Sequence, residues 1–329
     1  MDRLYPLHFK PILKEKIWGG ERIRTALGKD FYPLKNCGES WEVSGYPGDV
    51  SIVSNGPFAG KNLQELLKKF KDALVGTNVY HQYGDFFPLL IKFIDAQDDL
   101  SIQVHPDDKL AYRRHQTNGK SEMWYVVAAE NNARIITGFK KQVTKDEYLH
   151  HLKNKTLSNI LNIETAYPGD VFYIPAGRVH AIGPGVLLAE IQQTSDITYR
   201  IYDWDRVDAN GQKRDLHTDQ ALDAIDFNYY EHYKTDYSVL TNKTSQIITC
   251  KYFTTNILQF DQVLYKNYEE LSSFVVYMCM EGSCSIQTNA AEDGTTILKA
   301  GDTILIPAFL DQLKLHPYQS TKILEIFVP

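Results

Sequence analysis

Pro168-Gly169-Asp170-Val171-Phe172-Tyr173-Ile174-Pro175-Ala176 is echoed later in the same chain as Ala300-Gly301-Asp302-Thr303-Ile304-Leu305-Ile306-Pro307-Ala308. The shared element is Gly-Asp, four residues of β-branched and aromatic strand, then Pro-Ala. A single repeat at this spacing points to two related β-barrel domains rather than a solenoid. The copies differ in chemistry. Five residues after Pro175 stands His180, and five after Pro307 stands Gln312, so only the first copy keeps an imidazole and the second is expected to be structural.

The surrounding sequence reads the same way. Short apolar runs broken by Gly and Pro turns fall at 39–53, 87–94, 122–129, 133–137, 170–174, 186–193 and 197–202, and residues 247–328 are again strand-rich. The pattern predicts a mainly β protein of two jelly-roll barrels with short helical insertions, divided as residues 1–240 and 241–329. Helices are expected at 62–76 behind an Asn62 cap, near 107–115, at 144–161 behind Thr144, and at 218–225.

Composition bounds the function. The 329 residues are 43% hydrophobic and 23% charged, the profile of a folded protein with a substantial core. A net charge of −6 argues against a nucleic-acid surface, so an anionic ligand requires a local cluster of Lys and Arg. Cys37, Cys250, Cys279 and Cys284 form no C-x-x-C pair, which disfavours a zinc ribbon or a dithiol redox site and suits a reducing compartment. The first sixteen residues carry charges and two prolines instead of a signal-peptide core, and the longest apolar runs are far short of a membrane span. A cytoplasmic protein without membrane or nucleic-acid partners, monomer or homodimer, is expected.

Chemistry concentrates in Ser101-Ile102-Gln103-Val104-His105-Pro106-Asp107-Asp108. In an extended strand Ser101, Gln103 and His105 share one face. Burying these polar groups costs on the order of 2 kcal/mol each unless they are satisfied, and a metal ion would satisfy them. Lys120-Ser121-Glu122 opens another strand with a lysine and a carboxylate on one face. A Pro/Gly turn follows Ile174, so His180 can be aimed back into a barrel mouth. Gln103, His105, Glu122 and His180 make a nitrogen/oxygen donor set without thiolate, suited to Zn²⁺, with Fe²⁺, Co²⁺ or Mn²⁺ as substitutes.

Gly169-x5-Pro175-x-Gly177-x2-His180 resembles the second sequence motif of the cupin superfamily. The Ser101–Asp107 stretch, Lys120-Ser121-Glu122, the His180 motif and Ile191-Gln192-Gln193-Thr194-Ser195-Asp196-Ile197-Thr198-Tyr199-Arg200-Ile201-Tyr202-Asp203-Trp204 together resemble type I mannose-6-phosphate isomerases, in their short bacterial form. Trp18-Gly19-Gly20 and Gly38-Glu39-Ser40-Trp41-Glu42-Val43-Ser44 extend the likeness to the start of the chain. The resemblance implies two cupin barrels and one zinc ion on Gln103, His105, Glu122 and His180. It further implies interconversion of mannose 6-phosphate and fructose 6-phosphate, with Arg200 in the catalytic position and Lys92, Ser101, Lys120 and Glu190 lining the pocket.

Aldose–ketose isomerisation moves a proton between two carbons through an enediol, and fixed positive charge at the developing oxyanion lowers the barrier. Arg200 is expected to serve that oxyanion or to hold the sugar. The proton shuttle is expected to be Glu190 or a lysine; Lys92, interrupting an apolar strand, is expected to have a depressed pKa. Lys92, Lys120 and Arg200 are the phosphate-binding candidates. Two alternatives stand: another metal-dependent cupin enzyme, and a sugar-phosphate-binding cupin without turnover.

Overall fold

The computed structural model describes residues 3–207, 211–288 and 295–329. Four large antiparallel sheets pack in sequence. A five-stranded sheet runs Leu161–Thr165, Arg134–Phe139, His180–Ile182, Ile102–Val104, Tyr199–Tyr202, and faces a six-stranded sheet ordered Val171–Ile174, Glu122–Ala129, Val186–Gln193, Leu89–Ala96, Glu39–Val43, Ile12–Lys14. A seven-stranded sheet follows, ordered Lys243–Thr249, Thr254–Phe260, Thr321–Phe327, Val275–Glu281, Thr303–Ile306, Leu7–Lys10, Ile52–Val53. It faces a four-stranded sheet of Leu264–Asn267, Gln312–Pro317, Ser283–Thr288 and Thr295–Lys299.

The six- and seven-stranded sheets turn their outer faces to each other and share one apolar layer, in which Ile91, Phe93, Met123 and Ile191 meet Ile257, Val276, Leu305 and Ile326. Leu89–Ala96 and Val186–Gln193 are therefore buried on both faces, and their sequences read as continuous runs instead of alternating ones. The alternation survives in which core each residue enters. Odd-numbered Leu89, Ile91 and Phe93 enter the shared layer, whereas Ile94 and Ala96 enter the first barrel with Trp124, Val126 and Leu188. Toward one end of that barrel the inward positions become Lys92, Glu122, Glu190 and Gln192, all buried. The polar mouth is a direct product of period two and register, since Glu190 lies opposite both Lys92 and Trp124, and Gln192 opposite Glu122.

The expected mainly β, two-barrel cupin architecture stands. The helices needed correction. The stretch 62–76 opens on the expected cap, Asn62 accepting from Glu65 N at 2.8 Å, but divides into Leu63–Phe70 and Asp72–Val75 because Lys71 takes a positive φ of 48°. A further helix, Thr77–Tyr83, follows. The helix behind Thr144 stops at Lys153, and Leu161–Thr165 is an edge strand paired with Arg134–Phe139. The 218–225 helix is Thr218–Ala224, and Asp108–His115 starts from an Asp107 cap. The division at residue 240 is crossed by the N-terminal strand, because Leu7 and His8 pair with Leu305 and Ile304 while Ile12–Lys14 pairs with Glu39–Val43 of the other barrel.

The two copies of the repeat do not superpose through their ligand position. Gln312 is exposed and donates to Glu269 at 2.8 Å, whereas Leu313 and Leu315 enter the second core. The inward counterpart of His180 is therefore Leu313, one residue later than the spacing from Pro307 predicts.

Candidate active site

Three strands bring the predicted ligands together. His105 directly follows the Ile102–Val104 strand, Glu122 begins Glu122–Ala129, and His180 begins His180–Ile182. One donor atom from each lies within 4.8 Å of the others, and all three residues are buried. Gly177 makes the preceding turn possible, with a φ of +93° that a side chain would strain and its N–H donating to His105 O at 2.9 Å. Gln103 lies opposite His180 across the ladder, its amide nitrogen 3.3 Å from His180 Nε2.

The imidazole tautomers decide what this cluster wants. His105 Nδ1 sits 2.8 Å from Ile197 O and His180 Nδ1 2.9 Å from Arg178 O, so each Nδ1 carries the proton and donates it to a carbonyl. Each Nε2 is then an unprotonated lone pair facing Glu122, at 3.5 and 3.4 Å, with Lys120 Nζ 3.1 Å from that of His105 and Gln103 Nε2 3.3 Å from that of His180. Lone pairs against a buried carboxylate repel; the Lys120 ammonium relieves this beside His105 and Glu122 Oε2, and a divalent cation among the three donors would relieve it for all of them. Protonation is not the remedy: burial, with Lys120 next, lowers the His105 pKa to about 4, and burial lowers that of His180. Burial would raise the Glu122 pKa, but the Lys120 ammonium and then His105 hold it well below the usual range. A neutral pair of imidazoles around an ionised carboxylate fits a divalent metal. Gln103 borders the cluster, with its amide nitrogen toward His180 and its oxygen toward Ser101 Oγ.

Lys120 and Gln103 separate this cluster from a cleft of about 270 Å³. Lys120 Nζ is 2.8 Å from Glu122 Oε2 and 3.1 Å from His105 Nε2. Ser101, Lys92, Glu190 and Arg200 also line the cleft, so every residue predicted for the pocket is brought to one place. Ser101 Oγ donates to Gln103 Oε1 at 3.4 Å. Arg200 donates to Asp215 O at 2.8 Å, and its buried Nε has no hydrogen-bond partner. The nearby acids are engaged elsewhere, Asp203 by Arg206 and Arg214, and Asp205 by Lys155 and Lys213.

Sequence reasoning missed a charge ladder along the cleft wall. Lys16 Nζ lies 3.0 Å from Glu39 Oε1, Lys92 Nζ 3.7 Å from Glu39 Oε2, and Lys92 Nζ 3.3 Å from Glu190 Oε1. The indoles of Trp41 and Trp124 donate to Glu39 and Glu190 at 2.7 and 3.0 Å. Burial would raise the Glu39 pKa, but Lys92 and Lys16 bring it to about 2. Lys92 corrects the earlier expectation: burial pulls its pKa down, yet Glu190 and Glu39 reverse the direction and raise it. Its ammonium is a fixed charge, not a poised base. The alternation around Glu39 was visible in sequence, but its apposition to Lys92 depends on strand pairing across distant segments.

Volume alone does not find this site. A larger hollow of about 570 Å³ lies at the second barrel among Tyr265, Lys266, Asn267, Gln312 and Lys314. The only His/Cys/Asp/Glu metal cluster among the described residues is His105, Glu122 and His180.

Residues 7–141 match the family model described as phosphomannose isomerase type I, catalytic domain. The chain is 35% identical over 323 residues to the mannose-6-phosphate isomerase ManA of Bacillus subtilis (strain 168), covering 95% of this chain and 96% of that one. It belongs to the type I phosphomannose isomerase family. The isomerase of Streptococcus mutans is 40% identical over 220 residues, 67% of each chain. A crystal structure of the mannose 6-phosphate isomerase from Bacillus subtilis superposes with a TM-score of 0.88 at 33% identity, covering 98% of this chain and 99% of that one. The His/Glu/His arrangement is thus set in an isomerase-family fold. Among the described residues no helix is long and apolar enough to cross a membrane.

Proposed function

We propose that this protein interconverts mannose 6-phosphate and fructose 6-phosphate, with one Zn²⁺ held by Gln103, His105, Glu122 and His180. The observation that carries the reading is the pair of unprotonated imidazole nitrogens converging on a buried, ionised carboxylate beside a cleft rich in ammonium and guanidinium groups. When bound, the metal supplies Lewis-acid polarisation of the sugar oxygens. The nitrogen/oxygen donor set without thiolate supports zinc.

The remaining chemistry falls to the chain's own side chains. The proton must leave one carbon and return to its neighbour, which calls for a base that keeps a lone pair in the cleft. Both buried lysines are charged: Lys92 is flanked by two carboxylates, and Glu122 and Glu190 raise the Lys120 pKa against the effect of burial. Glu190 is then the proton carrier, its buried Oε1 ion-paired with Lys92 at 3.3 Å and its Oε2 oriented by the Trp124 indole. Lys120 donates to the oxyanion that develops during enolisation. Ser101 positions the sugar. Arg200, with its free Nε and planar fork, binds the phosphate or the same oxyanion, and Arg214 and Lys16 add positive charge at the rim. Four unpaired thiols support a reducing, cytoplasmic setting.

A coupled isomerase assay with chelator followed by zinc tests the reading. Turnover should vanish with chelator and return with zinc. Full turnover by metal-free protein removes the zinc assignment. Binding of mannose 6-phosphate without turnover by metal-replete protein makes the chain a sugar-phosphate-binding cupin.

A further inference from the structure

The loop that carries Lys120 to the site is held by the second barrel. Cys250-Lys251-Tyr252-Phe253 is the turn joining Lys243–Thr249 to Thr254–Phe260, and Phe253 anchors it in the layer shared by the two large sheets. From this turn Tyr252 OH donates to Asp108 Oδ2 at 2.7 Å, and Lys251 Nζ lies 3.3 Å from the same oxygen. The other oxygen, Asp108 Oδ1, accepts from Gly119 N at 3.1 Å and Gln193 Nε2 at 2.9 Å. Gln193 Oε1 then accepts from Ser121 N at 2.9 Å. Ser121 stands between Lys120 and Glu122, the two residues whose side chains meet at the metal cluster. Gly119 seals the arrangement, since a Cβ there would lie 2.5 Å from Asp108 N.

Neither Asp108 nor Tyr252 reaches the cleft, so the chain of bonds has no direct chemical task there. Its ends are informative. One is a phenol supplied by the second barrel; the other is the backbone on both sides of Lys120. We infer that Tyr252 is a positioning residue for Lys120 and Glu122, acting through Asp108, Gln193 and the amides of Gly119 and Ser121. The second barrel thereby sets the geometry of a site to which it contributes no ligand. The inference rests on the reading of Lys120 and Glu122 as isomerase residues. An ångström of displacement at such residues is enough to lower turnover by about 10- to 100-fold.

The test compares Tyr252→Phe, Asp108→Ala, Asp108→Asn and the double variant Tyr252→Phe/Asp108→Ala in the full zinc-loaded chain. Amide hydrogen exchange across 116–122 is read beside kcat and KM. Tyr252→Phe keeps the ring, and should speed exchange at Gly119 and Ser121 about tenfold while leaving the rest of the barrel protected. Its kcat should fall with KM little changed. Asp108→Asn should restore most of the rate, because its side-chain oxygen still accepts from Gly119 and Gln193. The double variant should be no slower than Asp108→Ala alone. Unchanged exchange in Tyr252→Phe, or losses of kcat that multiply in the double variant, would overturn the proposal; if Asp108→Ala fails to fold, the exchange result for Tyr252→Phe decides. Exchange does not depend on turnover, so absence of isomerase activity in the parent chain would count against the proposed function and not against this relay.

Discussion

Glu190 in the first barrel and Glu325 in the second occupy the same place in their sheets. Glu190 lies opposite Trp124 and Lys92; Glu325 lies opposite Tyr277 and Asn256. Each is a buried carboxylate held by an aromatic hydrogen-bond donor or its neighbour and by a polar group of the adjoining strand. The positions that hold Gln103, His105, Glu122 and His180 in the first barrel are Lys266, Tyr268, Val275 and Leu313 in the second. Lys266 Nζ lies 2.8 Å from Glu325 Oε1, Asn256 donates to Oε2 at 2.8 Å, and Tyr268 bridges Tyr277 and Glu325. Burial, reinforced by the carboxylate, pushes both phenols far above their ordinary pKa. One barrel thus sets its carboxylates between buried lysines and a donor cluster that fits a metal, at an open mouth. The other closes the same space around a tethered ammonium. Shared architecture does not transmit chemistry; a few inward positions decide it.

The comparison breaks hardest at the imidazoles. His180→Ala should strip the metal and lower turnover on the order of 10³-fold, about 4 kcal/mol of transition-state stabilisation, as metal analysis and the coupled assay would record. Retained metal with full rate would erase the contrast between the barrels. Lys266→Met strikes the corresponding place in the second barrel. Leaving Glu325 buried without its cation should cost about 3–5 kcal/mol of stability by urea titration, with kcat unaffected in the protein that remains folded. Arg200→Ala should keep the metal and the melting midpoint yet reduce kcat about 100-fold. Gln312→Ala is the mildest test: an exposed side chain outside the core should change stability by less than about 0.5 kcal/mol and leave the rate alone.

Much of this was legible beforehand. The Gly-Asp-strand-Pro-Ala repeat announces two barrels, and the period-two reading of 101–105 and 120–124 places Gln103, His105 and Glu122 on inward faces, because alternation is a local property of the backbone. Lys92 could be seen as an anomaly in an apolar strand, but its charge state could not. That depends on Glu39 and Glu190 arriving from two other strands, and registers between distant segments leave no mark in a single sequence. The shift from Gln312 to Leu313 escaped for a related reason, since counting from Pro307 assumes equal turns in both copies. Tyr252 gave no signal at all; a turn residue acquires its meaning only from the barrel it touches.

Strand Leu7–Lys10 pairs on one side with the nearby Ile52–Val53 and on the other with the distant Thr303–Ile306. During synthesis this strand is made long before that distant partner, and roughly 300 residues must follow before the pairing can form, about a minute at slower elongation rates. The first barrel can gather its own strands in that interval while this one waits with an unpaired edge. Severing the chain between the barrels would therefore leave Leu7–Lys10 with only its short pairing to Ile52–Val53.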